Sequence, residues 1–237
     1  MTAAHFFVPS IEHDPIRLEG DEGYHAARVL RLRPGEAITV SDGRGSVAEG
    51  DVASVEPRAI TVRVRARRTV PEQRPRIVVL PAVPKSGKLD MVVQKLTEIG
   101  VDEIRPWVAE RSVVRWDERK RQAHAARWRA IAHEAAKQSR RAWLPSIAEP
   151  LDEPVLPGFI VVLHETADAR LEERLPGEPP LEVGVVTGPE GGLTQAEIDR
   201  FVASGGVVAG LGPPILRAET AAIVAPILVM GRYHLVG

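Results

Sequence analysis

Two successive strand–loop–helix junctions over residues 183–224 constrain this chain more than any other feature. Val183-Gly-Val-Val-Thr187 is an apolar, β-branched run that ends in Gly188-Pro-Glu-Gly-Gly192 and opens onto Leu193-Thr-Gln-Ala-Glu-Ile-Asp199. Thr194 and Glu197 have the S/T-x-x-E spacing of a capping box, which marks a helix start. A second apolar run, Val207-Val-Ala-Gly-Leu211, ends in Gly212-Pro-Pro-Ile-Leu-Arg217 and leads into Ala218-Glu-Thr-Ala-Ala-Ile-Val224. This alternation predicts an α/β sheet with two Gly-bearing loops at strand C-terminal ends, the edge where open α/β sheets bind ligands. Glycine lets backbone N–H and C=O groups approach a ligand with no Cβ in the way. A plain strand-to-helix turn also takes glycine, so one such loop argues little. A pair of them, with Glu190 and Arg217 set in them, points to a site.

The 237 residues suffice for one large domain or two. With 44% hydrophobic and 27% charged residues, the composition is that of an ordinary soluble globular protein. The absence of Cys excludes disulfides, a thiolate metal site and a Cys nucleophile, and no metal is expected. No apolar stretch reaches the ~18 residues of a membrane span, and no charged-then-apolar leader opens the chain, so a cytoplasmic protein is expected. The net charge of −1 is unevenly spread. Residues 58–141 carry 21 Lys+Arg against 9 Asp+Glu, whereas residues 1–57 carry 5 against 10 and residues 142–237 carry 5 against 13. A positive middle in a near-neutral chain predicts a local polyanion footprint. Its charge is mostly Arg, which binds phosphate bidentately and stacks on bases.

Residues 1–70 read as β. His5-Phe-Phe-Val8, Ala37–Ser41, Val47–Val55 and Ala59–Ala66 are short strands, and Asp42-Gly43 marks a turn. Several short strands of this kind suggest a small barrel. Residues 22–31 read as one helix carrying Tyr24, His25, Arg28 and Arg31 on one face. Residues 68–76 read as a Pro-bearing linker. Ile77–Leu80 is a buried strand. The following Pro81-Ala-Val-Pro-Lys-Ser-Gly-Lys88 is not a phosphate-binding P-loop, because Ala82 replaces the first Gly and Leu89 stands where Ser or Thr belongs. A helix capped by Asp90 and ended by Gly100 follows, then a strand at Ile104 cut by Pro106. Asp117 to Trp143 reads as a long helix with Asp117 as N-cap, Trp128, Ile131, Ala132, Ala135 and Ser139 on its inner face, and Lys137 among the charges on the outer one. Phe159–Leu163 is another buried strand, with Glu165 just past its end. In the last helix Pro226 predicts a break near Ala225.

Gly188-Pro-Glu-Gly-Gly192, together with Leu211-Gly-Pro-Pro-Ile-Leu-Arg-Ala-Glu-Thr-Ala221, resembles the signature of the RsmE-type ribosomal RNA uridine N3-methyltransferases, of the SPOUT class. His25-x-x-Arg-Val-Leu-Arg-Leu-x-Pro-Gly35 with Asp42-Gly-x-Gly45 is similar to that family's N-terminal RNA-binding part, and Gln94-Lys-x-Thr-Glu-Ile-Gly100 is similar to its catalytic part. The likeness covers nearly the whole chain. It implies a PUA-like RNA-binding β-barrel over 1–70 and an α/β SPOUT methyltransferase domain with a C-terminal trefoil knot over 75–237. It also implies S-adenosylmethionine as methyl donor, a homodimer, and a uridine of small-subunit (16S) ribosomal RNA as target. By resemblance Leu163, Glu165, Gly188, Pro189, Glu190, Gly191, Leu211, Gly212, Ile215 and Leu216 bind the cofactor. Arg217 is expected to stabilise charge on the uracil, and Glu190 or Glu219 to accept its proton, to hold the cofactor's amine or to cap backbone. His5, His25, Arg28, Arg31, Lys85, Arg111, Arg115 and Arg141 are expected to contact RNA. The chain departs from the family at Pro214, where a basic residue is usual, and at His5 or Ala4, where Arg is usual. Two other functions fit the same residues: a non-catalytic RNA-binding module for ribosome assembly, and the same chemistry on transfer RNA.

Overall fold

Alternating apolar residues in the first part of the chain build one small sheet, and near-continuous apolar runs in the rest build a larger, fully covered one. The structure, a computed structural model, describes residues 3–85 and 87–235. The chain divides into two compact units, Met1–Glu72 with Ala136–Leu144 and Gln73–Ala135 with Pro145–Gly237. Residues 136–144 thus belong with the first unit, although the sequence partition at 70/75 assigns them to the second.

The first unit contains β1 (Ala4–Phe7), β2 (Ile16–Leu18), α1 (Gly20–Tyr24), β3 (Ala37–Ser41), β4 (Ser46–Glu56) and β5 (Ala59–Thr69). The strand order is β1-β3-β4-β5-β2, with β1 parallel to β3 and the other pairs antiparallel. Register shifts in β4 at Glu49/Gly50 and Val52/Ser54 bend the sheet. Phe6, Ile16, Ile38, Val52 and Ile60, one from each strand, share a single core with Ala26. The sheet therefore wraps around one apolar centre.

The single helix expected over 22–31 is not formed. After Tyr24 the backbone widens into a π-helical turn, His25–Val29, in which the Leu30 N–H donates to the His25 carbonyl at 2.9 Å. Arg31 lies beyond it with a left-handed φ of 53°. The wider turn breaks the 3.6-residue spacing, so Tyr24, His25, Arg28 and Arg31 do not form the expected stripe.

The second unit contains β6 (Arg76–Pro81), α2 (Leu89–Ile99), β7 (Glu103–Ile104), β8 (Ser146–Ile147), β9 (Phe159–Leu163), α4 (Leu171–Arg174), β10 (Glu182–Thr187), α5 (Gln195–Ala203), β11 (Val207–Ala209) and α6 (Ala218–Arg232); α3 (Glu118–Ser139) runs from this unit into the first. Its six strands are all parallel, in the order β11-β9-β10-β6-β7-β8. Ile77 and Val79 of β6 face one core with α2 and α6. Val78 and Leu80 face the other, with Trp107 and Phe201 of α5. Helices on both faces explain why these strands read as unbroken apolar runs.

Four expectations fail for identifiable reasons. The linker shortens, because Arg68 and Thr69 pair with Val47 and Ser46 and Arg76 already belongs to β6. Asp90 does not cap α2; its carboxylate accepts from Arg127 and, at 3.1 Å, from the Trp128 Nε1–H. α3 stops at Ser139, before a left-handed Arg140 with φ 56°. Within it Lys137 is buried, with Nζ 3.0 Å from Glu22 and 3.3 Å from His25 Nδ1. Finally, α6 runs unbroken through Pro226. An interior proline costs about 3 kcal/mol, but Ala222, Ala225, Val229 and Met230 are buried on this helix, and each large apolar side chain contributes about 1.5–3 kcal/mol. Among the described residues no helix is long and apolar enough to cross a membrane.

Candidate active site

β11, β9 and β10 are neighbours and parallel, so their C-terminal ends meet along one edge. The loops leaving them line a cleft of about 570 Å³. Leu163 and Glu165 come from the end of β9. Gly188, Pro189, Glu190 and Gly191 follow β10, and Leu211, Gly212, Ile215, Leu216 and Arg217 follow β11. Glu219 lines it from the first turn of α6, and Lys88 from the residue before α2. All the residues named from sequence for the cofactor, and the three named for catalysis, thus share one cavity of the size typical for small-molecule sites.

The first loop is fixed by its own chemistry. The Thr194 hydroxyl accepts the Glu197 N–H at 3.2 Å, and Glu197 Oε2 accepts the Thr194 N–H at 2.8 Å, the capping box expected from sequence. Glu197 Oε1 accepts the Glu110 N–H at 2.8 Å, which ties the loop to a neighbouring segment. Gly192 turns the chain with φ 71°, a left-handed conformation that costs other residues energy. The Arg111 guanidinium donates to the carbonyls of Gly191 at 3.0 Å and Leu193 at 3.3 Å. Glu190, exposed at the tip, accepts the Lys85 N–H at 3.2 Å.

The second loop is more open. Gly212 has φ 115°, again left-handed, and Ile215 is 75% exposed. Arg217 is exposed at the N-cap position of α6, with extended backbone. Glu219 sits two residues on, and its Oε1 accepts from Lys88 Nζ at 2.6 Å. That hydrogen bond holds the Glu219 carboxyl below the usual carboxylate range, so it stays ionised. Its other oxygen is buried, with no hydrogen-bond partner among the described residues.

The cleft fits an amino-acid-bearing nucleoside. Leucine and isoleucine side chains and bare glycine backbone suit a base and ribose. Lys88, Arg111 and Arg217 stand against Glu165, Glu190 and Glu219, a mixed set that suits a zwitterionic tail. Lys88 was not singled out from sequence, because its only local context is the rejected P-loop-like segment; its partner Glu219 is 131 positions away.

The residues named for RNA contact are divided between the units. In the second, Lys85 is exposed. Arg111, by contrast, spends its guanidinium on the glycine loop, and Arg115 donates to the carbonyls of Ser112 and Val114 at 2.7 and 2.8 Å. In the first unit Arg28 and Arg31 are exposed, with Arg28 Nε donating to the Pro57 carbonyl at 3.1 Å. His25 is half-buried against Lys137, and Arg141 is half-buried. His5 requires a correction. It is only 7% exposed, and burial, aided by the charges of Arg140, Arg68 and Lys137, pushes its pKa down to about 4. It is a neutral core residue rather than a cationic phosphate contact.

The RNA methyltransferase domain family matches residues 71–230, and the RNA methyltransferase PUA domain family matches residues 18–65. The ribosomal RNA small subunit methyltransferase E of Mycobacterium bovis is 37% identical over 88% of this chain and 83% of its own length. The protein of that name from Bacillus subtilis is 33% identical over 91% of this chain and 90% of its own. A methyltransferase from Legionella pneumophila, solved in complex with bound SAM, superposes with a TM-score of 0.85 at 28% identity, covering 98% of both chains. Together with the cleft, the sequence and fold matches lead to one assignment: the chain belongs to the ribosomal RNA small subunit methyltransferase E family of RNA methyltransferases.

Proposed function

We propose that this protein transfers a methyl group from S-adenosylmethionine to N3 of a uridine in small-subunit (16S) ribosomal RNA. The observation that carries this reading is the single cleft in which both glycine loops, Arg217 and the Lys88–Glu219 pair come together, in a chain of this family. When bound, the cofactor supplies a methyl group on a positively charged sulfur. The backbone at Gly188 and Gly191 and the side chains of Leu163, Leu211, Ile215 and Leu216 hold its base and ribose and exclude water. Glu165 offers a carboxylate to its ammonium group. In-line attack by a uridine nitrogen then depends on alignment, which a preformed wall provides.

Loss of the N3 proton leaves negative charge on the uracil carbonyl oxygens; in this reading Arg217, which lines the cleft, is the cation that stabilises it. Of the two carboxylates considered as proton acceptor, Glu190 is the better choice. Glu219 spends one oxygen on Lys88, and the same contact lowers its affinity for a proton.

The PUA-like part, residues 1–70, positions the RNA, with Arg28 and Arg31 on phosphates and the 75–237 part carrying the chemistry. A trefoil knot of the SPOUT kind fits a strand order in which β10 re-enters the sheet between β9 and β6. A homodimer acting in the cytoplasm, where ribosomal RNA is assembled, completes the reading.

The test is to incubate the purified protein with small subunits, with naked small-subunit RNA and with transfer RNA, using methyl-labelled S-adenosylmethionine, and to map the label by nuclease digestion and mass spectrometry. One N3-methyluridine in the ribosomal RNA is expected. Label in transfer RNA alone would move the substrate, and no label in any RNA would leave an RNA-binding module.

A further inference from the structure

Lys88 lies outside every motif that pointed to the cleft, yet it makes a 2.6 Å ion pair in the cleft wall. Its partner carboxylate is 11% exposed and Lys88 itself 35%, so the pair is partly shielded from water. Lys88 immediately precedes α2, and Glu219 is the second residue of α6. The cores of these helices already pack together through Val92, Val93 and Leu96 against Ala222, Ala225 and Val229. The ion pair adds a fastening at their first turns, where the cleft begins.

What it fastens has little backbone bracing of its own, although Leu211 packs against the core. Among the described residues, 211–216 make no backbone hydrogen bond. Their C-terminal end leads into α6, whose start is held by the Ala221 N–H on the Arg217 carbonyl at 2.9 Å and by Glu219 on Lys88. We propose that Lys88 is a positioning residue of the methyl-transfer site: by gripping Glu219 it fixes the first turn of α6, and with it Arg217 and the Leu211–Leu216 wall, in the arrangement that receives S-adenosylmethionine. This inference rests on the reading of the cleft as the cofactor site.

A purely structural ion pair would change folding stability without coupling to the ligand, so the decisive readout is a double-mutant cycle on affinity. Calorimetric titration with S-adenosylmethionine would compare wild type, Lys88→Met, Glu219→Gln, the double variant and Lys88→Arg, each at a temperature where thermal unfolding shows it folded. Lys88→Met is expected to weaken binding about tenfold. The double variant should bind no more weakly than the weaker single one, and Lys88→Arg should stay within about threefold of wild type. Wild-type affinity in Lys88→Met, or losses that simply multiply in the double variant, would overturn the proposal while leaving the cofactor site standing. Should Lys88→Met fail to fold, the reversed pair Lys88→Glu with Glu219→Lys decides. Affinity recovered relative to Lys88→Glu alone supports the pairing, and no recovery refutes it. A wild-type protein that does not bind S-adenosylmethionine would remove the cofactor site and this proposal together.

Discussion

The two glycine loops that face each other across the cleft look alike in sequence and are held in opposite ways. The loop at 188–192 is gripped from three sides: by the Thr194–Glu197 capping box, by Arg111 on two of its carbonyls, and by Lys85 on Glu190. The loop at 211–217 has no such internal bracing among the described residues and is secured at its α6 end. One wall is preformed, and the other takes its shape from a helix start. The contrast implies that the first loop offers the cofactor a rigid wall, whereas the second offers one whose shape depends on the Lys88–Glu219 pair and carries Arg217, the cation proposed for the chemistry.

The largest effect separates these roles. Arg217→Ala should reduce single-turnover methyl transfer about 10²–10³-fold, as loss of one transition-state charge partner does, while S-adenosylmethionine affinity changes little. Retained turnover would remove Arg217 from the chemistry. Next, Arg111→Ala should loosen the preformed wall and weaken calorimetric cofactor affinity about tenfold, with RNA affinity unchanged at fixed salt. The reverse pattern would restore Arg111 to the role of a phosphate contact. Smaller still is the contrast between Gly192→Ala and Gly212→Ala. Both positions are left-handed, where a side chain costs about 1–2 kcal/mol. The braced Gly192 should show the full cost in denaturant unfolding, and the unbraced Gly212 less, because its loop can relax. Equal losses would break the comparison. The smallest expected effect lies in the first unit: Arg28→Ala with Arg31→Ala should weaken RNA binding several-fold and flatten its salt dependence by about one contact per Arg, leaving cofactor affinity intact. Unchanged RNA affinity would take these two residues out of the RNA surface.

The capping box and both glycine loops were legible because their determinants are neighbours in sequence: Thr194 bonds Glu197, and the left-handed turns fall on Gly192 and Gly212. The buried strands were legible for the same reason, since runs such as Ile77–Leu80 are apolar on both faces. What failed depends on distant partners. Lys137 reads as surface charge until Glu22 and His25 meet it, and Asp90 reads as a cap until Arg127 and Trp128 claim its carboxylate. His5 reads as a contact residue until five strands close over the core beside it. Pro226 reads as a break until the buried face of α6 outweighs one missing donor. Lys88 left no local trace, because its meaning lies wholly in Glu219.

A crystal structure of the protein grown with S-adenosylmethionine tests the cleft most directly. Density for the adenosine moiety is expected between the Gly188–Gly191 backbone and the Leu211–Leu216 segment, with the methyl-bearing sulfur facing Arg217 and the Lys88–Glu219 pair intact. Cofactor bound elsewhere on the molecule, or a cleft whose two loops exclude it, would contradict the assignment of this cavity to methyl transfer.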